Sequence, residues 1–497
     1  RSGNNNRVKL MQLLKEVLYK AGTEEVIGNT NVAVYGISIN SREVKPGEMY
    51  VALRGTNVDG HTFILDAIEK GATSILCEVM PDLIQAGINY IKVKNTYLAL
   101  SEVCANFYHH PSSSLKLVGI TGTNGKTTTA TLLYKLFRQL NIRCGLISTV
   151  ENRVNDTVIP STHTTPDPIK LNQLLSMMVL EECEYCFMEV SSHAVVQNRI
   201  GALEFAGGVF TNITHDHLDY HKTFDEYLKA KKKFFDNLPE SAFALTNADD
   251  KNGSVMVQNT HAVRKTYGLH GVADFRCRII ENNFHGLLLQ IDNTEVLCKL
   301  IGSFNAYNLL AIYATAVSLG LDKQRVLTAL SMLESVSGRF DYIVSHSGIT
   351  GIVDYAHTPD ALNNVLSTIN EIRTRNEKVI TVVGCGGNRD TTKRPVMAHI
   401  ACEMSDKVIL TSDNPRNEDP QKIIEQMRAG VPAHLSAKVM AITDRNEAIR
   451  VACNLAASGD IILIAGKGHE TYQEVKGVKH PFDDKKILQE NFNNLHA

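Results

Sequence analysis

Val118-Gly119-Ile120-Thr121-Gly122-Thr123-Asn124-Gly125-Lys126-Thr127-Thr128-Thr129 is the stretch that decides the fold of this chain. The apolar run from Leu115 to Ile120 predicts a buried strand, and the leucines that follow at helical spacing predict an amphipathic helix. A glycine-rich turn between a strand and a helix surrounds an anion with backbone N–H groups and the helix dipole. Lys126 would neutralise that anion, and the Thr127 hydroxyl would face Mg²⁺. The stretch therefore predicts a nucleotide phosphate site.

The spacing of this loop departs from the Walker pattern, which requires glycine five residues before Gly125, where the sequence has Ile120. Gly119 lies one residue earlier, and we interpret it as the end of the strand. A glycine-rich turn that only caps a helix is the alternative. Gly-Lys-Thr at the start of a helix favours nucleotide binding.

Composition excludes several classes of function. A chain of 497 residues is too long for one core and predicts two to four domains. The counts of Lys+Arg (51) and Asp+Glu (53) nearly cancel, so the chain has no large positive potential that would attract nucleic acid or an anionic membrane. No apolar run approaches the roughly 20 residues that span a bilayer, and no secretory signal pattern is present. The ten cysteines lack paired spacing, and we take the single C-x-x-C (Cys183, Cys186) as structural, so we expect a cytoplasmic protein.

The alternation of strand-like and helical segments predicts an α/β protein of three domains. A small N-terminal α/β domain spans 1–112 and begins with a helix over 8–20. A central domain over 113–337 has a mainly parallel sheet of the P-loop type, and antiparallel hairpins over 273–301. A flexible break at 335–338 leads to a C-terminal open α/β, Rossmann-like domain over 338–497.

Polar residues at strand ends are the other candidates for chemistry. Glu189 ends an apolar strand, where a carboxylate near a phosphate loop suits Mg²⁺. The cluster over 215–221 has three histidines and two aspartates; zinc is conceivable, but a phosphate–Mg²⁺ site fits the spacing better. The lysine run over 229–233 is typical of a solvated helix face. Four polar loops of the last domain, at 354–359, 384–390, 413–420 and 466–470, predict a second substrate pocket.

Taken together, these motifs resemble the Mur ligase family. The resemblance runs from about Ser41 to Gln473 and rests on motifs in family order: 121–128, 189–193, 216–221, 302–308, 354–359 and 466–470. It implies an N-terminal UDP-sugar-binding domain, a central ATP-binding domain and a C-terminal amino-acid-binding domain.

The resemblance also implies roles for individual residues. ATP would be held by Gly122, Thr123, Asn124, Gly125, Lys126, Thr127, Thr128, Asn305, Arg339, Asp354 and His357. Thr127 and Glu189 would hold one Mg²⁺, and His217 would hold a second, with Lys231 as a further metal ligand. Lys126, Lys231, His217 and Glu189 would be the catalytic set. Lys231 matches the family's carbamylated lysine (N6-carboxylysine), which replaces our interpretation of the lysine run as a solvated face.

Two substrate sites follow from the same resemblance. The UDP-N-acetylmuramoyl-dipeptide would contact Ser41, Thr56, Asn57, His163, Thr164, Thr165, Ser191, Gln197 and Arg199. meso-Diaminopimelate would contact Arg389, Asp413, Asn414, Pro415, Arg416, Gly466 and Glu470. The Arg416 guanidinium suits the distal carboxylate and Glu470 suits the ammonium, whereas lysine would leave the guanidinium buried and unpaired. Asn388 and Asn40 stand where many family members have Asp.

The implied activity is ATP-dependent amide formation, which joins meso-diaminopimelate to UDP-N-acetylmuramoyl-L-alanyl-D-glutamate through an acyl phosphate during peptidoglycan precursor synthesis. A lysine-adding ligase or a folylpolyglutamate-type ligase is the alternative within the class. A non-catalytic nucleotide-binding protein is the alternative outside it. We expect a monomer that requires ATP and Mg²⁺ and binds neither nucleic acid nor membrane.

Overall fold

Three sheets of five, eleven and six strands organise the chain, in that order along the sequence. The computed structural model describes residues 10–55, 58–161, 163–214, 223–374 and 376–494. Helices pack on the sheets and bury separate apolar cores. The predicted α/β class with mainly parallel sheets is confirmed. None of the described helices is long and apolar enough to cross a membrane.

The first region carries the five-stranded sheet, in the order β2-β7-β6-β5-β4, where only β2 is antiparallel to its neighbour. Its elements are β1 Gln12–Leu13, α1 Leu14–Val17, β2 Thr23–Ile27, β3 Ala33–Val34, β4 Ile37–Ser38, β5 Met49–Val51, α2 Ile64–Glu69, β6 Ser74–Cys77, β7 Asn89–Val93 and α3 Thr96–Phe107.

The helix predicted over 8–20 is wrong for most of its length. Gln12 and Leu13 instead pair with β3, and the helix α1 has only four residues. The apolar residues Leu14 and Val17 are buried, so the periodicity identified the buried side chains correctly. Because Gln12 and Leu13 pair with β3, their backbone groups do not form the hydrogen bonds of the predicted helix.

The middle region carries the eleven-stranded sheet, in the order β11-β10-β9-β12-β8-β13-β14-β15-β16-β17-β18. Its elements are β8 Lys116–Thr121, α4 Lys126–Gln139, β9 Cys144–Ile147, β10 Glu151–Val154, β11 Thr157–Pro160, α5 Pro168–Leu180, β12 Tyr185–Glu189, α6 Ser192–Val196, β13 Gly207–Phe210, α7 Phe224–Asp236, β14 Phe243–Asn247, α8 Gly253–Met256, β15 Val263–Gly268, β16 Phe275–Asn283, β17 Gly286–Ile291, β18 Thr294–Cys298, α9 Ser303–Ser318 and α10 Lys323–Met332.

The sheet of the middle region is parallel from β9 to β16 and antiparallel at both edges. The predicted hairpins over 273–301 are therefore confirmed. Asp292 and Asn293 both have positive φ (45° and 67°), which a tight two-residue hairpin turn requires. Gly119 does not end its strand as predicted, because β8 continues to Thr121. A Cβ on Gly119 would lie 2.6 Å from the Phe234 ring, so the glycine allows α7 to pack closely.

The last region carries the six-stranded sheet, in the order β19-β20-β24-β21-β22-β23, parallel except for β19. Its elements are β19 Asp341–Val344, β20 Thr350–Asp354, α11 Pro359–Ile372, β21 Val379–Val383, α12 Lys393–Met404, β22 Lys407–Leu410, α13 Pro420–Arg428, β23 Val439–Ala441, α14 Arg445–Leu455, β24 Ile461–Ala465, β25 Tyr472–Val475, β26 Val478–Pro481 and α15 Asp484–Asn494.

The segment over 335–338, predicted as a flexible break between domains, is a packed turn. Val336 and Gly338 are buried, and Gly338 O accepts a hydrogen bond from Tyr355 N. A Cβ on Gly338 would lie 2.1 Å from His469 N, so this turn touches a polar loop of the last region.

Candidate active site

The predicted phosphate loop lies between the end of β8 at Thr121 and the start of α4 at Lys126. Gly122 and Gly125 have φ of 154° and 85°, and a Cβ on Gly122 would lie 1.9 Å from Thr211 Oγ1. Asn212 Oδ1 accepts a hydrogen bond from Asn124 N at 2.9 Å. The loop is therefore shaped by its glycines and held by the residues that follow β13.

Two lysine ammonium groups meet at one carbonyl of this loop. Gly122 O accepts a hydrogen bond from Lys126 Nζ at 2.8 Å and from Lys231 Nζ at 2.9 Å. Lys231 is only 1% exposed and lies on α7 over the ring of Tyr227, with Nζ 4.7 Å from the ring centroid. Lys229 and Lys233 on the same helix are more exposed, so a solvated face is the wrong description for Lys231.

Glu189, at the end of β12, is fully buried beside the loop. Its carboxylate accepts hydrogen bonds from Thr127 Oγ1 at 3.0 Å and from Thr149 N at 2.7 Å. A carboxylate and a hydroxyl form a hard oxygen donor set that fits Mg²⁺. Lys231 fits such a set only as a carbamate, because an ammonium group has no lone pair to donate.

The rest of the predicted metal set is not described. His217 and the whole 215–221 cluster lie outside the described residues. Within the described ranges, no group of three or more His, Cys, Asp or Glu side chains could hold a metal ion.

On the nucleotide side, the structure distinguishes two asparagines of α9. Asn305 is buried and donates from Nδ2 to Ile301 O at 2.8 Å, and it does not line the cleft. Its Oδ1 accepts a hydrogen bond from Asn308 Nδ2 at 3.0 Å, and Asn308 does line the cleft next to Gly125. Our prediction missed Asn308, although a helical spacing of three residues could have indicated it.

Arg339 reaches the loop from the turn that precedes β19. Its Nη2 lies 3.3 Å from Thr127 Oγ1, and its guanidinium lies 4.8 Å from the centroid of the Tyr355 ring. Asp354, at the end of β20, accepts a hydrogen bond from Phe340 N at 2.6 Å. Burial raises the pKa of Asp354 to about 6, although the neighbouring Arg339 opposes the rise. His357 also lines the cleft.

Residues predicted to hold the muramoyl peptide surround the strand end of Glu189. Thr165 Oγ1 donates to Glu189 O at 2.7 Å and accepts from Ser191 N at 3.1 Å. Arg199 Nη1 donates to Thr165 O at 2.6 Å, and Arg199 also donates to Gln197 Oε1. His163, Thr164, Thr165, Ser191 and Arg199 all line the cleft, whereas Gln197 lies behind Arg199.

The first region does not reach this cleft with its described residues. Ser41 is buried in that region, and Thr56 and Asn57 lie outside the described residues. Asn40 Oδ1 accepts a hydrogen bond from Arg42 N at 3.1 Å, as an Asp carboxylate would. The departure at position 40 thus preserves this local contact.

The predicted amino-acid site follows β22 and β24. Asn414 Nδ2 donates to Glu470 Oε2 at 2.8 Å, and Lys467 Nζ lies 3.0 Å from Asn414 Oδ1 and 3.1 Å from Glu470 Oε2. Lys467 is fully buried, and our prediction missed it. Asp413 and Gly466 form the wall behind these side chains, since a Cβ on Gly466 would lie 2.5 Å from Asp413 Oδ2. Pro415 is also buried, beside Arg416.

Arg416 has partners of its own. Its Nη1 donates to Gly387 O at 2.8 Å, and its Nε lies 3.4 Å from Glu474 Oε2. The side chain is 23% exposed. The expectation that a site without the distal carboxylate would leave this guanidinium buried and unpaired is therefore wrong.

The neighbouring loop presents Arg389, which is exposed and lines the cleft. Asn388 has a φ of 53°, a left-handed conformation that Asn tolerates better than most residues. Its Oδ1 accepts a hydrogen bond from Asn417 N at 3.0 Å. The departure at position 388 is therefore compatible with this turn.

One cleft of about 1300 Å³ is lined by part of each of these sites, and Arg389, Arg416 and Glu470 are the residues of the predicted amino-acid site that line it. It runs between the middle and last regions, from the phosphate loop and Glu189 to Arg389, Arg416 and Glu470. The arrangement places a candidate phosphate site and a candidate amino-acid site in one continuous space.

Comparison with known families identifies the class of protein that has this fold and cleft. The models of the Mur ligase family, catalytic domain, the Mur ligase middle domain and the Mur ligase, glutamate ligase domain match residues 33–108, 120–316 and 338–468. The chain belongs to the Mur ligase family of ATP-dependent ligases.

Similar individual proteins share one name within that family. A protein of Cytophaga hutchinsonii is 58% identical over 97% of this chain and 99% of its own length, and one of Bacteroides thetaiotaomicron is 56% identical over 97% and 100%. Both are named UDP-N-acetylmuramoyl-L-alanyl-D-glutamate--2,6-diaminopimelate ligase. A solved structure of a ligase of that name matches with a TM-score of 0.70 and 30% identity, covering 98% of this chain and 100% of the other.

Proposed function

We propose that this chain uses ATP to join meso-diaminopimelate to UDP-N-acetylmuramoyl-L-alanyl-D-glutamate, forming an amide and releasing ADP and phosphate. The observation that carries this proposal is the single cleft that links Lys126 and Glu189 to Arg416 and Glu470. The two relatives described above, which carry the name of this reaction, support it.

The reaction begins when ATP transfers its γ-phosphoryl group to the free carboxylate of the glutamyl end. The resulting acyl phosphate is attacked by an amine of diaminopimelate, and phosphate leaves as the tetrahedral intermediate collapses to the amide. Little covalent chemistry falls to the protein, so its contribution is positioning and electrostatic stabilisation.

Residues of the loop supply the positive charge for phosphate. Lys126 and the N-terminus of α4 would bind the transferring phosphoryl group, which replaces the carbonyls that Lys126 Nζ contacts in this structure. Arg339, which already reaches Thr127, adds a second cation. Gly122, Thr123, Asn124, Gly125 and Thr128 shape the rest of the nucleotide site, together with Asn305 through Asn308, Asp354 and His357.

The divalent cation that the family implies fits this wall of the cleft. Thr127 and Glu189 would hold one Mg²⁺, and His217 with a carbamate on Lys231 would hold a second. Both ions would neutralise phosphate oxygens as charge moves during transfer. Lys231 would supply oxygen ligands only after its amine has combined with CO₂. Its burial against the loop carbonyl supports a role in the site over a role on the surface.

Acceptor and amino acid would approach from opposite ends of the cleft. His163, Thr164, Thr165, Ser191 and Arg199, the last positioned by Gln197, would hold the muramoyl peptide, and Ser41, Thr56 and Asn57 would hold the UDP end. Arg416 and Arg389 would bind the distal carboxylate of diaminopimelate, with Asn414 and Glu470 at the ammonium and Asp413, Pro415 and Gly466 behind them. Because Arg416 is partly exposed and already paired, we expect diaminopimelate to be preferred over lysine by about 100-fold. A fully buried and unpaired guanidinium would give a larger preference.

This assignment gives each region one role, with UDP binding over 1–112, ATP binding over 113–337 and amino-acid binding over 338–497. The ten cysteines are all unpaired and buried, which supports a reducing, cytoplasmic compartment.

The test is an ADP-release assay with ATP, Mg²⁺ and the muramoyl-dipeptide nucleotide, in which meso-diaminopimelate, L-lysine and L-glutamate are supplied in turn. We expect ADP release only with diaminopimelate at low concentration. Equal rates with lysine would favour a lysine-adding ligase. A parallel assay with a folate in place of the muramoyl nucleotide would favour a folylpolyglutamate-type ligase if glutamate then released ADP. A complete absence of ADP with every amino acid would favour a non-catalytic nucleotide-binding protein.

A further inference from the structure

Arg416 occupies an unusual backbone conformation that neighbouring residues must maintain. Its φ is 51°, in the left-handed region where residues other than glycine, asparagine and aspartate are uncommon. Residues in such conformations persist where surrounding contacts hold them, and they cluster at functional sites. The contacts that hold Arg416 are therefore informative.

Those contacts come from the two-stranded sheet of β25 and β26, which we call the 472–481 hairpin. Arg416 N donates to Glu474 O at 3.0 Å, and Lys476 N donates to Arg416 O at 2.7 Å. Arg416 thereby forms a parallel bridge with Val475. The hairpin holds the backbone of Arg416 through both its N–H and its C=O group.

The same hairpin reaches the residues before Arg416. Glu474 N donates to Asn414 Oδ1 at 2.9 Å, and Gln473 Nε2 donates to Asp413 O at 2.7 Å. Glu474 also places its carboxylate 3.4 Å from Arg416 Nε. One residue of the hairpin thus contacts the backbone and side chain of Arg416 and the side chain of Asn414.

Glu474 contacts Arg416 without lining the cleft itself. Among the described residues that line the cleft, Arg416 is present and Glu474 is absent. The Glu474 carboxylate is paired with Nε, and Gly387 O with Nη1, which leaves the other guanidinium N–H groups for a carboxylate in the cleft. Glu474 therefore supports the guanidinium and does not occupy the place of the ligand.

We infer that Glu474 is a positioning residue that sets the selectivity for an amino acid with a distal carboxylate, by fixing the guanidinium of Arg416 towards the cleft. This inference rests on the proposed function, because it assigns the Arg416 site to the amino-acid substrate. It extends the site to Glu474, which does not line the cleft itself and lies on a hairpin whose Tyr472 and Lys479 do.

The experiment compares Glu474→Gln and Glu474→Ala with the wild type in the ADP-release assay. Loss of a charge-assisted contact that orients the guanidinium should raise KM for diaminopimelate about tenfold, and it should lower the preference over lysine by a similar factor. The values of kcat and of KM for ATP and for the muramoyl nucleotide should stay within about twofold, since the phosphate loop is untouched. Glu447→Gln, which removes an exposed ion pair with Arg450 in the same region, is the matched control.

The outcomes separate this inference from the proposed function. A wild type that turns over diaminopimelate, with Glu474 variants of unchanged or lower KM, overturns the inference alone. A parallel fall in kcat and rise in every KM would indicate a purely structural role and would also overturn it. A wild type without diaminopimelate-dependent ADP release overturns the proposed function and this inference with it.

Discussion

The phosphate loop and the amino-acid site are held by different kinds of structure. The loop follows β8, an interior strand of an eleven-stranded sheet, and its partners Glu189, Thr211 and Lys231 are almost completely buried. Arg416 is held by a two-stranded hairpin whose outer strand is exposed along its whole length. On the proposed assignment, a change near Arg416 should therefore alter the choice of amino acid without disturbing the buried residues that hold the phosphate loop.

The largest effect should follow a change on the loop side of this comparison. Lys231→Ala removes the side chain that we propose to become a carbamate, and kcat should fall about 10³-fold because a cation ligand is lost. The KM for diaminopimelate should hardly change. ADP release with and without added formate or acetate is the measurement, and these short carboxylates should restore part of the activity. Lys233→Ala, exposed on the same helix, is the control, and near-normal activity of Lys231→Ala would contradict the carbamate.

Asp354, between the two sites, should make stability depend on pH. Its pKa rises from 3.8 to about 6 on folding, mainly through burial, so the native state binds more protons than the unfolded state between those values. The free energy of unfolding should therefore fall as pH rises from about 4 to about 6, by about 3 kcal/mol relative to Asp354→Asn. Urea denaturation of both proteins across this range is the measurement.

His469 provides the control with the opposite sign. Burial, with Arg339 and His357 nearby, lowers its pKa from 6.5 to about 4, so its contribution to stability is lost as pH falls through that range. In a plot of the free energy of unfolding against pH, His469→Gln should therefore reduce the slope on the acid side. Asp354→Asn should increase that slope. Identical profiles for the two variants would show that neither group titrates as its burial implies.

The smallest of the three effects should follow a conservative change on the amino-acid side. Arg416→Lys keeps the charge but removes the planar fork, so KM for diaminopimelate should rise about 30-fold, while KM for ATP stays constant. Steady-state kinetics with each substrate varied in turn are the measurement, and Arg428→Lys, at the exposed end of α13, is the control. A rise in KM for ATP of the same size would show that the two sites are not separable.

Sequence alone could predict the features that depend on local order. The strand, glycine turn and helix around Lys126 follow one another in the chain, and Glu189 was placed correctly because a polar residue ended an apolar run. The hairpin turn at Asp292 and Asn293 could be predicted as well, because it too is formed by residues that follow one another in the chain.

Features set by distant partners could not be predicted from residue patterns. The burial of Lys231 depends on Gly122 O, 109 positions earlier, so composition favoured a solvated face and only the family resemblance indicated otherwise. The contact of Arg416 with Glu474 joins two loops through space. The predicted N-terminal helix is wrong because Gln12 and Leu13, inside its span, pair with Val34 and Ala33.

The turn over 335–340, which precedes β19, limits where this protein can be cut into separate parts. It sends Arg339 to Thr127 in the middle region, supports Asp354 through Phe340 N, and lets Gly338 touch His469 N closely in the last region. Cutting the chain in this turn is an obvious way to express the middle and last regions separately. The cut would, however, separate Arg339 from its contacts in one of the two regions. The two halves, mixed as separate polypeptides, are therefore expected to retain their folds more readily than their joint activity.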